Sequence, residues 1–398
     1  MKLARSSTRI SRNLLLAVVL AAAIAIGAAT LPSMLWAAGL AAILGVAGVV
    51  LFRGDRWRTG ALLLSAVAVA VILLDTLAGW LSPAPKGQGV AYAPEHHSWV
   101  VSDPLLGFRL RPNNIVHAEA TLGQETVYRA DYTIGADGWR ATPEAPAGAD
   151  AYIFMGDSCV FGQGLADGQT LAAQFAKAND FKVRTALVAV PGYGPNHLVR
   201  AFEVGLLDRY LGQPVKAVVT WIKPQDLARV TGDETWLASS PRYVLENGKL
   251  RYTGSFSEYR WSNPIDGLVH FAGEQFAFVK AIGMRQRQER QADLLVAQIE
   301  RLQALAREKF GAPLVVVYQW PDKPGPPEAG TDFDRQALIA IFDRIHRLGT
   351  PLLSVERLLD GIEVSRWTIP HDGHPSALAD HLVAAELKRR LNVAATAP

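Results

Sequence analysis

The first eighty residues restrict this chain more than any other stretch. Leu14 to Pro32, Ser33 to Phe52 and Gly60 to Leu81 are almost wholly apolar, and each run is near the roughly 20 residues an α-helix needs to cross a bilayer. A cleaved signal peptide followed by a buried hairpin is the alternative. Against it, Ala61 to Leu81 carries only Asp75 as a charge, towards its outer end, and lacks the polar face of a soluble core helix. The expectation is a membrane anchor of three transmembrane helices over 1–81. Lys2, Arg5, Arg9 and Arg12 precede the first run and Arg53, Arg56 and Arg58 fill the loop before the third, while the connection around Leu31 to Leu35 is uncharged. The positive-inside rule puts the basic segments in the cytoplasm, so three crossings deliver everything after about Ser82 to the far side. The expected location is the inner (cell) membrane, multi-pass, with the large domain extracytoplasmic, which is periplasmic in a Gram-negative cell.

Charge excludes a nucleic-acid partner. The chain has 40 basic and 37 acidic residues. Removing the seven basic and two acidic residues of positions 1–81 leaves 33 against 35, so the outer domain has no basic face to offer. Cys159 is the single cysteine, which rules out an intrachain disulfide and leaves stability to a packed core.

Ser82 to His97 is rich in Pro and Gly and reads as a linker in which no chemistry is expected. Trp99 to Thr142 has strand-like patterning with a turn at Asp137-Gly138, making 82–150 a linker plus a β-rich extension. His96, His97 and His117 lack the Cys or carboxylate neighbours of a zinc site, so neither metal nor cofactor is expected. From Tyr152 onward strand and helix alternate. Strands are expected at Tyr152 to Met155, Thr185 to Val190, Val215 to Ile222, Pro313 to Tyr318 and Pro351 to Val355. Helices are expected at Leu171 to Asn179, Asn196 to Tyr210, Gln286 to Lys309, Asp334 to Arg347 and Ser376 to Arg390. Repeated βα units imply a parallel sheet covered on both faces, with ligands beyond the carboxyl ends of its strands. An insert at about 228–284, holding a hairpin around Asn247-Gly248, interrupts the repeat as either a substrate-facing cap or a packing element.

Three strand ends bear residues that could act together. Tyr152 to Gly164 reads Y-I-F-M-G-D-S-C-V-F-G-Q-G, an apolar run into a tight turn that displays the Ser158 hydroxyl at a helix start. Alone, Gly156-Asp157-Ser158 reads more readily as a turn that caps the next helix. Val190 to Gly194 (V-P-G-Y-G) offers glycine amides that can turn toward an oxyanion. Ile369 to Pro375 (I-P-H-D-G-H-P) reads either as a capped turn with exposed His371 and His374 or as the source of the general base that a serine nucleophile needs, His374, with Asp372 as the carboxylate that fixes its tautomer. Cys159, next to Ser158, points the other way if the turn opens a helix, and reads as a small buried filler.

Together these motifs resemble the SGNH, or GDSL, hydrolase family from about Tyr152 to Leu391, and most closely its membrane-anchored bacterial members. The resemblance implies a flavodoxin-like three-layer α/β/α sandwich over 151–398 and acyl-ester chemistry. It assigns Ser158 as nucleophile, His374 as base, Asp372 as its partner, and the Ser158 and Gly192 amides as oxyanion donors. Two features depart from the family. Where it usually offers an Asn side chain as a further donor, the strand end here reads W-I-K-P-Q-D, which leaves Gln225 as the candidate. Where it commonly has two residues between Asp and His, only Gly373 intervenes. The implied function is an extracytoplasmic serine esterase or O-acyltransferase working through an acyl-serine on an envelope glycan or lipid, with envelope assembly partners unidentified. The alternative is a non-catalytic glycan-binding or scaffolding protein of the same fold.

Overall fold

The computed structural model describes residues 42–49, 54–81, 89–276, 279, 282, 284–320 and 333–396. The chain divides into two units: Met1–Lys86 with Asn263–Met284, and Gly87–Ser262 with Arg285–Pro398.

In the first unit Asp55–Leu81 is a single helix of 27 residues. Its stretch Asp55–Leu74 has a mean hydropathy of 2.0, long and apolar enough to cross a membrane by length and composition. Leu62, Leu63, Val67, Leu73 and Leu77 are exposed along it. Residues 42–49, within the second apolar run, are helical, and the Ser65 hydroxyl donates to the Ala42 carbonyl at 3.0 Å. The first apolar run lies outside the described residues. Pro264–Gln275 adds a helix to this unit, with Ile265, Leu268 and Val269 exposed.

The second unit is organised by a parallel sheet. In chain order its elements begin with β1 (Ala91–Ala93), β2 (Val100–Asp103), β3 (Gly107–Leu110), β4 (Asn114–Leu122) and β5 (Glu125–Ile134). Then follow β6 (Ala151–Gly156), β7 (Arg184–Ala189), β8 (Val215–Ile222), the hairpin β9 (Pro241–Glu246) and β10 (Lys249–Ser255), β11 (Leu314–Tyr318) and β12 (Leu352–Ser354). Five of these form one sheet in the order β12-β11-β8-β6-β7. All its pairs are parallel, with Ile153 opposite both Ala186 and Val218, and Val315 opposite Val219. β6 and β11 are buried along their whole length, the pattern of strands covered on both faces.

The chain runs from β6 to one side, then returns past β6 to build the other side. With right-handed crossovers, that reversal sends the helices after β6 and after β7 to opposite faces. Leu171–Ala178 therefore packs with the C-terminal helix Ala377–Thr396. Pro195–Glu203 meets the long helix Met284–Phe310 through Phe202 against Phe310. The helices Leu171–Ala178 and Arg335–His346 are capped at their N-termini: the Thr170 hydroxyl accepts from Ala173 N–H at 3.3 Å and the Asp334 carboxylate from Ala337 N–H at 2.7 Å. Seen from β6, this is the flavodoxin-like order, and its switch point lies between β6 and β8.

The helix expected over Asn196 to Tyr210 ends at Glu203. The backbone turns left-handed at Gly205, and the remaining residues form a 3₁₀ turn at Asp208–Tyr210.

The β-rich extension shares the core of the sandwich. Trp99 and Tyr132 pack against Phe161, with ring centroids 5.8 and 5.0 Å away. Arg140, whose side chain is 0% exposed, joins the two. Its Nη1 donates to the carbonyls of Phe161 and Gly162 at 2.7 and 2.8 Å, its Nη2 to Leu165 at 2.5 Å, and its Nε to Asp167 at 2.9 Å. One guanidinium thus satisfies the carbonyls of Phe161 and Leu165 and gives the Gly162 carbonyl, which also accepts from Leu165 N–H at 3.1 Å, a second donor.

Candidate active site

Ser158 stands where β6 ends, at the switch point. Asp157 caps the one-turn helix Ser158–Phe161, its carboxylate accepting from Cys159 N–H at 2.9 Å. The turn is tight because Val160 folds back over the strand: a Cβ at Gly156 would sit 2.4 Å from a Val160 methyl, so only glycine fits.

The other two members come from the loop before the last helix. Ser158 Oγ lies 2.8 Å from His374 Nε2, and His374 Nδ1 is hydrogen-bonded to Asp372 Oδ1. With the Nδ1 proton directed at Asp372, Nε2 is the acceptor for the Ser158 hydroxyl. A spacing of one residue suffices because Gly373 takes a φ of +83° and folds the loop so that the Asp372 carboxylate reaches back to the ring two positions on. The same carboxylate also accepts from the His374 backbone N–H at 3.2 Å. Burial works against the charged form of Asp372, yet the hydrogen bonds and charge of His374, with a further bond from Tyr92, hold its carboxyl below the usual range. Ser158, His374 and Asp372 are therefore brought together as a serine–histidine–aspartate triad.

Gly192 follows β7, in the turn whose Tyr193 carbonyl shares the Arg229 guanidinium with Asp157. Trp236, half-exposed and contributed by the insert, donates its indole N–H to the Gly192 carbonyl at 3.3 Å. Behind this turn, Gly194 N–H donates to His197 Nδ1 at 3.0 Å, and the His197 ring stacks on Tyr193 at 4.2 Å. Burial first, then the charge of Arg229, push His197 down to about 3, so it stays neutral as an acceptor. Gln225 is half-buried just after β8, immediately before the short helix Asp226–Arg229.

Beneath the nucleophile lies a charge cluster that sequence reasoning did not identify. Asp157 Oδ2 is 2.7 Å from Lys223 Nζ and 2.6 Å from Arg229 Nη1. Arg229 Nη1 also donates to the Tyr193 carbonyl at 2.8 Å and lies 3.3 Å from Asp226. Burial alone would keep Asp157 protonated, but the two cations overcome it and hold its carboxyl well below the usual carboxylate range. Asp226 shows the opposite outcome: burial carries it up to about 6 despite Arg229. Cys159 is buried, and burial pushes its thiol up to about 12 even with Lys223 Nζ 3.3 Å from the sulfur, which leaves it a packing residue. Lys223, which follows β8, is thus an ion partner of the nucleophile turn. The signal available in the sequence was a lysine directly after the strand that neighbours β6.

The linker also differs from expectation. Tyr92, within the segment expected to be chemically silent, donates its hydroxyl to Asp372 Oδ2 at 2.9 Å. β1 pairs with β4, placing Tyr92 opposite Ala120. Among the described residues no group of three or more His, Cys, Asp or Glu side chains is arranged to hold a metal ion. His96, His97 and His117 belong to no such group, and His117 pairs with Asp131 at 2.7 Å.

No protein-family model matches the chain, and no curated protein matches it. Solved structures similar to it include a candidate SGNH hydrolase from Slackia heliotrinireducens, 13% identical over 61% of this chain and 98% of that one, with a TM-score of 0.34. An acetylxylan esterase from Geobacillus stearothermophilus is 11% identical over 61% and 94%, with a TM-score of 0.35. A candidate arylesterase from Agrobacterium tumefaciens is 16% identical over 61% and 99%, with a TM-score of 0.33.

Proposed function

We propose that the chain is a serine esterase of the SGNH type, and the observation that carries this is the 2.8 Å approach of Ser158 Oγ to a His374 ring held on its other nitrogen by Asp372. His374 Nε2 takes the Ser158 proton as Oγ bonds to the acyl carbon of a bound ester. The Ser158 and Gly192 amides, with the Gln225 side chain as a third donor, receive the charge that develops on the carbonyl oxygen; one such donor is worth about 2.7–4 kcal/mol of barrier. The imidazolium then protonates the departing alkoxide as its bond to the acyl carbon breaks, leaving an acyl-serine. Attack by water releases a carboxylic acid; attack by a sugar hydroxyl transfers the acyl group.

The finer reading is an acylated envelope glycan or lipid acted on outside the cytoplasm. In its favour, Trp236 presents an exposed aromatic face beside Gly192, a surface on which an apolar sugar face can stack. The length and apolarity of Asp55–Leu81 favour membrane attachment, and the arginines at its start, Arg53, Arg56 and Arg58, favour the stated orientation.

Fluorophosphonate labelling of the full chain in detergent, with aryl acetate hydrolysis, tests the esterase reading. Labelling and turnover that both vanish in Ser158→Ala are expected. A wild-type protein that is neither labelled nor active would point instead to the scaffolding alternative. An alkaline phosphatase fused after Pro398 is expected to be active in cells, and an inactive fusion overturns the orientation.

A further inference from the structure

We propose that Tyr92 is a positioning residue of the triad: its hydroxyl holds one oxygen of Asp372 so that the other is fixed on His374. The proposal rests on the triad reading above. The two carboxylate oxygens are divided between partners. Oδ1 serves His374 through both the ring Nδ1 and the backbone N–H, while Oδ2 accepts from Tyr92 at 2.9 Å. The Asp372 side chain is 0% exposed although its loop lies at the surface, and a buried carboxylate oxygen without a donor is costly. Tyr92 supplies that donor from a strand 280 residues earlier in the chain.

β1 is well made to carry it. It is hydrogen-bonded to β4 over Ala91 to Ala93, with Tyr92 at its centre, so the phenol is held by sheet register and does not depend on the loop it contacts. The ionisable groups facing Asp372 are His374 on its own loop, Tyr92 on β1, and Tyr128 and Tyr132 on β5. Burial first, then the Asp372 charge, push the Tyr92 hydroxyl above its ordinary range, so it remains an O–H donor wherever the site works. Tyr128 is likewise raised by burial and stays neutral. His374 is thus the one basic side chain among these groups.

The hydrogen bond has two effects that can be read separately. It fixes the carboxylate plane, and so the imidazole, against Ser158. It also draws charge toward Oδ2; without it, more charge rests on the oxygen facing His374 and the protonated imidazole, which cannot act as base, is favoured.

The test compares wild type and Tyr92→Phe as full chains in detergent, with an aryl acetate as substrate. The expected result is a kcat about 3- to 10-fold lower at unchanged KM, the range that the loss of one typical hydrogen bond supports. The acidic limb of the kcat/KM profile is expected to move up by about half a pH unit, and fluorophosphonate labelling to slow in proportion to kcat. Tyr92→Leu, which also removes the ring, adds a measure of packing through the unfolding midpoint. A Tyr92→Phe protein with wild-type kcat, labelling rate and acidic limb overturns the proposal, whatever Tyr92→Leu does to stability. Failure of the triad reading looks different: the wild-type protein itself is then neither labelled nor active.

Discussion

The charge cluster under Ser158 makes a quantitative prediction about non-additivity. At 2.7 Å, Asp157 and Lys223 attract each other by about 6 kcal/mol with an effective dielectric of 20. Desolvating the two ions offsets much of that, since their side chains are only 5% and 14% exposed. Lys223→Met leaves Asp157 buried with Arg229 alone, and Asp157→Asn leaves two buried cations sharing Asp226. Each single change is expected to cost about 3–5 kcal/mol, because it takes one partner from a buried ion pair. The double variant removes both members of the pair, so its cost should fall short of the sum by about 2–3 kcal/mol. Urea unfolding in detergent, followed by tryptophan fluorescence, measures this. With a slope of about 2–3 kcal/mol per molar, each single variant lowers the midpoint by roughly 1–2 M, and the double is only modestly worse than either. Additivity within about 0.5 kcal/mol would refute the reasoning, since the ions would then be stabilised independently by their surroundings.

Two further outcomes follow from neighbouring groups. Arg140→Met uncovers the carbonyls of Phe161, Gly162 and Leu165 and leaves Asp167 without its buried partner. A loss of about 3–5 kcal/mol is expected by the same unfolding assay, with Arg140→Lys intermediate; a change under about 1 kcal/mol would mean that water replaces the clamp. For His197, the folded ring is held near 3 while an unfolded histidine titrates near about 6.5. Between those values the unfolded chain binds a proton that the folded chain refuses. Stability from this group is therefore full above about pH 6.5 and declines as the pH falls toward 3, by roughly 3–5 kcal/mol in all. His197→Gln, which keeps an acceptor for Gly194 N–H, should flatten that part of the stability curve, and an unchanged slope counts against the assignment.

The strands of the large sheet were legible because each is a short apolar run closed by turn residues, and Val215–Ile222 matches its expected span. Ser158 and His374 were legible for the same reason: each follows a strand or precedes a helix at a turn whose chemistry is local. The contributors that lie far along the chain were not. Tyr92 sits on a three-residue strand with no buried face, so no periodicity marks it. Arg140 carries no local signal either, since its partners are carbonyls 21 to 25 residues later. The one-residue spacing between Asp372 and His374 departs from the family pattern when counted along the sequence. In space it is accommodated by a single left-handed glycine, and that conformation is a property of the fold. The length of the insert suggested a cap or a packing element. Its two parts separate, Trp236 standing by Gly192 while Asn263–Met284 groups with the N-terminal unit.

The close spacing of Asp372 and His374 also bears on how such a site opens. Where acid and base sit on different loops, any breathing of the scaffold disturbs two relationships at once, the tautomer and the distance to the nucleophile. Here both residues ride on the same turn, so a displacement of that turn carries the oriented imidazole with it as a rigid piece. Opening then lengthens the gaps that lead off the turn, to Ser158 and to Tyr92, and reclosing restores a competent base without a search over ring orientations. The resting protein keeps its proton acceptor prepared and already in contact with the nucleophile.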